Sequence, residues 1–168
     1  STTDHDSDGC RDDGSEDTDD DNDTVLDTTD LCARGALNWI SNFTTDADGD
    51  GCRDIDEDFD ADNDGVIDDD DDCPNGAMWW NSNSTTDYDS DGCQDSGEDA
   101  DDDNDGISDT LDHCSTGDLN WISHSTTDHD EDGCQDSDED TDDDNDGMAD
   151  LSDDCSTGDL NWISNSTT

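Results

Sequence analysis

The sequence predicts an irregular, loop-rich tandem-repeat array with little regular secondary structure. Three observations lead there. Of 168 residues, 57 are acidic and only three are basic, while 24 % are apolar, too few to offset chain entropy through an ordinary core. Eight cysteines fall at 10, 32, 52, 73, 93, 114, 134 and 155, a spacing too regular for a merely solvated acidic tail. Residues 85–125 and 126–166 match almost letter for letter, and the same pattern recurs upstream.

Aligned on the cysteines, the chain divides into four repeats at 2–43, 44–84, 85–125 and 126–166, the first longer by one residue between Cys10 and Asn22. Such periodicity marks a linear array in which each unit leans on its neighbours. The "STTDHD" start and "SNSTT" end repeat the internal junctions. No atypical cap is therefore expected, and the absence of an initial methionine suggests a mature or cropped segment. Each repeat has an acidic half and a link such as "CSTGDLNWISHSTT". The acidic half shows no helical or strand period; the "LNWIS" core of the link is expected to form a short strand.

The formal charge of −54 excludes nucleic acid as a partner, because phosphate contacts need lysine and arginine. No apolar run reaches membrane-spanning length. An even cysteine count without zinc-type spacing points to disulfides and an oxidising compartment. No nucleophile–base constellation or phosphate loop is present, so catalysis is not expected. The histidines at 5, 113, 124 and 129 are read as solvent-facing.

The acidic halves carry the chemistry. In residues 87–98, acids occupy positions one, three, five, nine and twelve around a glycine at six: Asp87, Asp89, Asp91, Asp95 and Glu98. Residues 101–112 repeat this with Asp101, Asp103, Asp105, Asp109 and Asp112. Alternate side chains then converge on one ion, and glycine permits the sharp turn, as in an EF-hand loop. Position seven contributes its carbonyl, leaving its side chain free to be cysteine in first loops and Val25, Val66, Ile107 or Met148 in second loops. The second repeat supplies Asp46, Asp48, Asp50, Asp54 and Glu57, then Asp60, Asp62, Asp64, Asp68 and Asp71. The fourth supplies Asp128, Asp130, Asp132, Asp136 and Glu139, then Asp142, Asp144, Asp146, Asp150 and Asp153.

The first repeat fits worst. Asp4, Asp6, Asp8 and Asp12 precede a displaced Glu16; Asp19, Asp21, Asp23, Asp27 and Asp30 enclose Thr24 where glycine belongs. Weaker or distorted sites are expected there. All-oxygen ligands favour calcium, about eight ions or two per repeat. With calcium tenfold above a site's dissociation constant, each ion contributes about 1.4 kcal/mol. Eight ions would still leave a net charge of about −38.

These residues resemble thrombospondin type 3 repeats, which string Asp-x-Asp-x-Asp-Gly-x-x-Asp-x-x-Asp loops around calcium, with cysteine after the last acid. Asp71-Asp72-Cys73-Pro74 reproduces the Cys-Pro ending; Asp30-Leu31-Cys32, Asp112-His113-Cys114 and Asp153-Asp154-Cys155 share the spacing without proline. The resemblance covers all four acidic halves and implies a calcium-wrapped backbone, disulfides between successive elements and an extracellular role. The tryptophan-bearing links depart from the family's short connections.

Two pairing schemes close loops of nearly equal length, so loop entropy does not choose between them. One bridges the links (Cys32–Cys52, Cys73–Cys93, Cys114–Cys134), leaving Cys10 and Cys155 to pair outside the segment; the other bridges each calcium pair (Cys10–Cys32, Cys52–Cys73 and so on). The first is preferred, since no ion holds the link. Trp39, Trp80, Trp121 and Trp162 each follow a cysteine by seven residues. They are expected to pack each link on its neighbour, with a subunit contact or a sugar-stacking platform as alternatives. Asn42, Asn83 and Asn165 head glycosylation acceptor triplets at one register.

The combined expectation is an extracellular or cell-surface structural protein, built around calcium and disulfides and joined head-to-tail with copies of itself into a stalk, fibre or filament. Attached glycans are a further expected partner. A surface adhesion or carbohydrate-binding module using the tryptophans is the alternative.

Overall fold

The computed structural model describes residues 4–164. Apart from one 3₁₀ turn, Asp150–Ser152, the described residues contain no helix and no strand. The architecture is irregular and loop-rich, and three disulfides bind it: Cys32–Cys52, Cys73–Cys93 and Cys114–Cys134. Cys10 and Cys155 are free thiols. Two compact units are present, one of Ser1–Ser82 with Asp91–Cys93, the other of Asn83–Ser90 with Gln94–Thr168.

The expected strand at "LNWIS" does not form. Asn38, Asn120 and Asn161 lie at φ of 67–69°, and Trp79 at 73°, a left-handed backbone that breaks any extended run. The end of this segment instead bonds back to its own repeat. The amides of Ser41, Ser82, Ser123 and Ser164 donate to the carbonyls of Asp23, Asp64, Asp105 and Asp146.

The interior is inverted relative to an ordinary domain. Among the described residues, the buried apolar ones are Ala47, Cys52, Ala61, Cys93 and Cys134, whereas eighteen aspartates are buried. Leu151, Ile55, Phe59, Phe43 and Leu111 stand in solvent. Trp39 and Trp121 are half-buried, Trp80 donates its indole N–H to Ala77 O (2.6 Å), and Trp162 is exposed. The Arg53 guanidinium lies 6.0 Å from the Trp39 ring, a contact between the first link and the second repeat.

Local geometry follows from the acidic pattern. Positions four and six of a loop need positive φ, so position four is Asn22, Asn63, Asn104 or Asn145 in second loops and position six is almost always glycine. The amides of Asp27, Asp68, Asp109 and Asp150 close the second loops on the carbonyls of Thr18, Phe59, Ala100 and Thr141. Successive repeats join where Leu31, Asp72 and His113 donate to the carbonyls of Asp50, Asp91 and Asp132. In the first repeat the extra residue is absorbed in the surface turn ahead of Asp17, which leaves Glu16 exposed.

Candidate metal centres

Each loop orients its own carboxylates. The position-five oxygen accepts the position-seven amide throughout, from Asp8–Cys10 to Asp146–Met148. At position twelve of the second loops, Asp30, Asp71, Asp112 and Asp153 accept from the cysteine two residues on, at 2.6–2.8 Å. Position-three Asp21, Asp62, Asp103 and Asp144 each accept a link glycine amide at 2.8 Å. The Asn22, Asn63, Asn104 and Asn145 side chains donate to Asp6, Asp48, Asp89 and Asp130, tying second loop to first.

At position three both oxygens accept amides, whereas at positions five and twelve these bonds occupy one oxygen of the carboxylate. In the first repeat's second loop, Asp19 Oδ1, Asp23 Oδ2 and Asp30 Oδ2 are buried without a hydrogen-bond partner. In the third repeat the same holds for Asp101 Oδ1, Asp105 Oδ2 and Asp112 Oδ2. Positions one, five and twelve thus present converging, desolvated oxygens. A buried anion with no donor is costly, and a hard divalent cation removes that cost. One oxygen each from Asp4, Asp6 and Asp8, from Asp19, Asp21 and Asp23, from Asp46, Asp48 and Asp50, and from Asp60, Asp62 and Asp64 lie within 4.8 Å of one another. The donor set fits calcium: carboxylate and carbonyl oxygens, without thiolate or imidazole at the centre. The first repeat's ladders are therefore assembled despite Thr24 and the extra residue.

Electrostatics reflect the crowding. In the metal-free chain burial pushes Asp30 and Asp71 up to about 7; neighbouring Asp21 and Asp23, or Asp62 and Asp64, add to it, and the cysteine amide opposes it. Asp23, Asp62, Asp105 and Asp112 are pushed to about 6 by burial first and adjacent carboxylates second.

The first loops are completed differently. The Glu139 carboxylate accepts the Asp118 amide of the preceding link (2.7 Å), and Glu57 lies against Gly35. The acid after them turns inward: Asp17, Asp58, Asp99 and Asp140 each hold a buried Oδ2 with no hydrogen-bond partner. Asp58 acts on Asp48 and Asp50, and Asp140 acts on Asp130. Sequence reasoning missed this position, although its recurrence ahead of every second loop was visible. The position-nine carboxylates Asp12, Asp54, Asp95 and Asp136 accept the position-two amide of their own loop at 2.9–3.2 Å. Asp91 falls in the first compact unit, while Asp87, Asp89, Asp95 and Glu98 fall in the second.

No protein-family model matches this chain, and no curated protein matches it.

Three histidines do more than face solvent. His5 and His129 bond through Nε2 to the Gly35 and Gly158 carbonyl oxygens, and His113 Nδ1 lies 2.8 Å from Asp132 Oδ2, which raises its pKa. Asn42 and Asn83 are exposed, each capped by its own acceptor threonine, Thr44 or Thr85. Asn165 lies outside the described residues.

Proposed function

We propose that this is an extracellular structural protein whose repeats are assembled by about eight calcium ions and which joins head-to-tail into a stalk or filament. The observation that carries it is the set of buried, donorless oxygens at positions one, five and twelve of the second loops of the first and third repeats. Calcium takes the role that apolar side chains play elsewhere, which also accounts for the exposed leucines and isoleucines. The likeness of the loops to thrombospondin type 3 repeats supports the same reading. Calcium titration with chelator reversal, followed by circular dichroism and tryptophan fluorescence, tests it. A chain equally compact and protected after exhaustive chelation would refute it.

Head-to-tail joining rests on register. Cys155 follows Asp153 as Cys32, Cys73 and Cys114 follow Asp30, Asp71 and Asp112; Cys10 occupies position seven, like Cys52, Cys93 and Cys134. Gly51, Gly92 and Gly133 each abut the previous repeat's position-twelve aspartate, whereas Gly9 has open space there. A Cys155–Cys10 bridge between copies would complete that junction. Non-reducing intact mass checks this: a purely monomeric species counts against it, and a ladder collapsed by reductant supports it.

Trp79 favours carbohydrate binding as a second reading. It is 90 % exposed, holds a left-handed φ of 73° where the other links have asparagine, and lines a groove with Leu31, Met78, Asp48 and Asn63. A strained, exposed aromatic beside polar groups suits stacking on a sugar face. Glycan-array binding lost in Trp79→Asn would support it.

A further inference from the structure

Between the two loops of a repeat lies a second kind of carboxylate cluster, outside the ladders of positions one, three and five. In the first repeat Asp12, Asp17 and Asp20 are all buried and bring one oxygen each within 4.8 Å of one another. Asp27 Oδ1 accepts the Asp20 amide at 2.8 Å and so borders the same cluster. That bond recurs from Ala61 to Asp68, Asp102 to Asp109 and Asp143 to Asp150. The charges of Asp109, Asp95 and Asp99 act on Asp102, and those of Asp150, Asp136 and Asp140 act on Asp143.

The repeats differ in what balances this cluster. In the first, Arg34 Nε donates to Asp20 at 2.8 Å and its Nη2 lies 3.5 Å from Asp12, so the chain supplies its own cation. In the second, Ala61 replaces the central acid and Asn75 replaces the arginine. The third and fourth keep all four acids but carry Thr116 and Thr157 where Arg34 would stand. No protein cation is left to them there. Asp143 is only 8 % exposed, and its Oδ1 is buried without a hydrogen-bond partner, as are Asp140 Oδ2, Asp102 Oδ1 and Asp99 Oδ2. In each cluster two inward oxygens lack a donor, Asp99 Oδ2 with Asp102 Oδ1 or Asp140 Oδ2 with Asp143 Oδ1, and two further carboxylates crowd them, so a positive charge is needed.

We propose that the third and fourth repeats each hold an additional divalent cation between their loops, at the place Arg34 fills in the first repeat. Asp95, Asp99, Asp102 and Asp109 bind one; Asp136, Asp140, Asp143 and Asp150 bind the other. The ligand set is all carboxylate, so the ion is a hard one, calcium in an extracellular setting. This rests on the reading that the loops bind calcium and adds a site type to it.

Equilibrium dialysis against calcium, with the unreduced chain, reads the stoichiometry. Two double variants copy solutions the chain already uses: Asp102→Ala with Asp143→Ala copies Ala61, whose amide still reaches Asp68, and Thr116→Arg with Thr157→Arg copies Arg34. The expected result is about ten ions per unaltered chain and about eight in either double variant, with the calcium-induced circular dichroism change retained. The arginine variant decides should the alanine variant fail to fold. About eight ions in all three chains would overturn the proposal while leaving the loop sites standing, the clustered carboxyls then sharing protons. An unaltered chain that binds no calcium would overturn both readings.

Discussion

Replacing Gly133 with alanine should cost more than replacing Gly147, although both occupy position six of a loop in one repeat at φ of +91° and +92°. Each substitution forces an L-residue into the left-handed region, a strain of about 1–2 kcal/mol. At Gly147 an added Cβ meets nothing within 4 Å, so strain is the whole effect. At Gly133 the added Cβ would overlap the Asp112 carboxylate. Asp112 must swing away, and the second loop of the third repeat loses its position-twelve ligand. With calcium tenfold above the dissociation constant, a lost site removes about 1.4 kcal/mol more. Gly133→Ala should therefore lose about 3 kcal/mol in calcium and one bound ion. Gly147→Ala should lose about half as much and no ion. Urea unfolding followed by tryptophan fluorescence, in excess calcium and in chelator, separates the two, since the difference should vanish in chelator. Equal losses in calcium would refute the idea that this glycine makes room for the preceding repeat's ligand.

Other expectations follow from the same geometry. Thr24 is β-branched at a φ of 89° where the other second loops have glycine, so Thr24→Gly should stabilise the first repeat by about 1 kcal/mol in the same unfolding assay. Removing Cys114–Cys134, which spans a sequence separation of 20, should cost about 3 kcal/mol by loop-closure entropy, read as a lower urea midpoint for the double serine variant. Acidity should act with opposite signs on the two forms. In the chelated chain Asp30, Asp71, Asp102 and Asp143 are raised to about 7 by burial, so the folded state binds protons that the unfolded chain releases. Its stability should rise as pH falls from about 7 towards 4. Calcium needs these carboxylates ionised, so the loaded chain should lose stability over the same interval, and the two curves should converge at low pH. Parallel curves would argue against calcium at these residues.

Much of the acidic halves could be read directly from residue spacing. Acids at positions one, three, five and twelve with glycine at six are short-range information, because loop geometry is fixed within a dozen residues. Asn22, Asn63, Asn104 and Asn145 at positive φ belong to the same local code. Features that depend on what a loop meets were less legible. The choice between Glu139 and Asp140 depends on the preceding link, whose Asp118 amide captures the glutamate. "LNWIS" reads as a strand by composition, yet Asn120 turns left-handed and only Ser123 bonds to the loop. His129 looks like a scattered surface residue until the link brings the Gly158 carbonyl to it.

The sequence alone determined that an oily core was out of reach, that the chain repeats, and that its acids recur at a spacing that could surround ions. Folding in three dimensions decided which oxygen of each carboxylate is used up by an amide and which is left facing inward. It also decided that cysteines close the links, and that a glycine of one repeat lies against an aspartate of the one before. The division has a physical reason. Spacing along the chain sets the conformation of each loop, but a ligand's free oxygen depends on which N–H groups from distant residues reach it first.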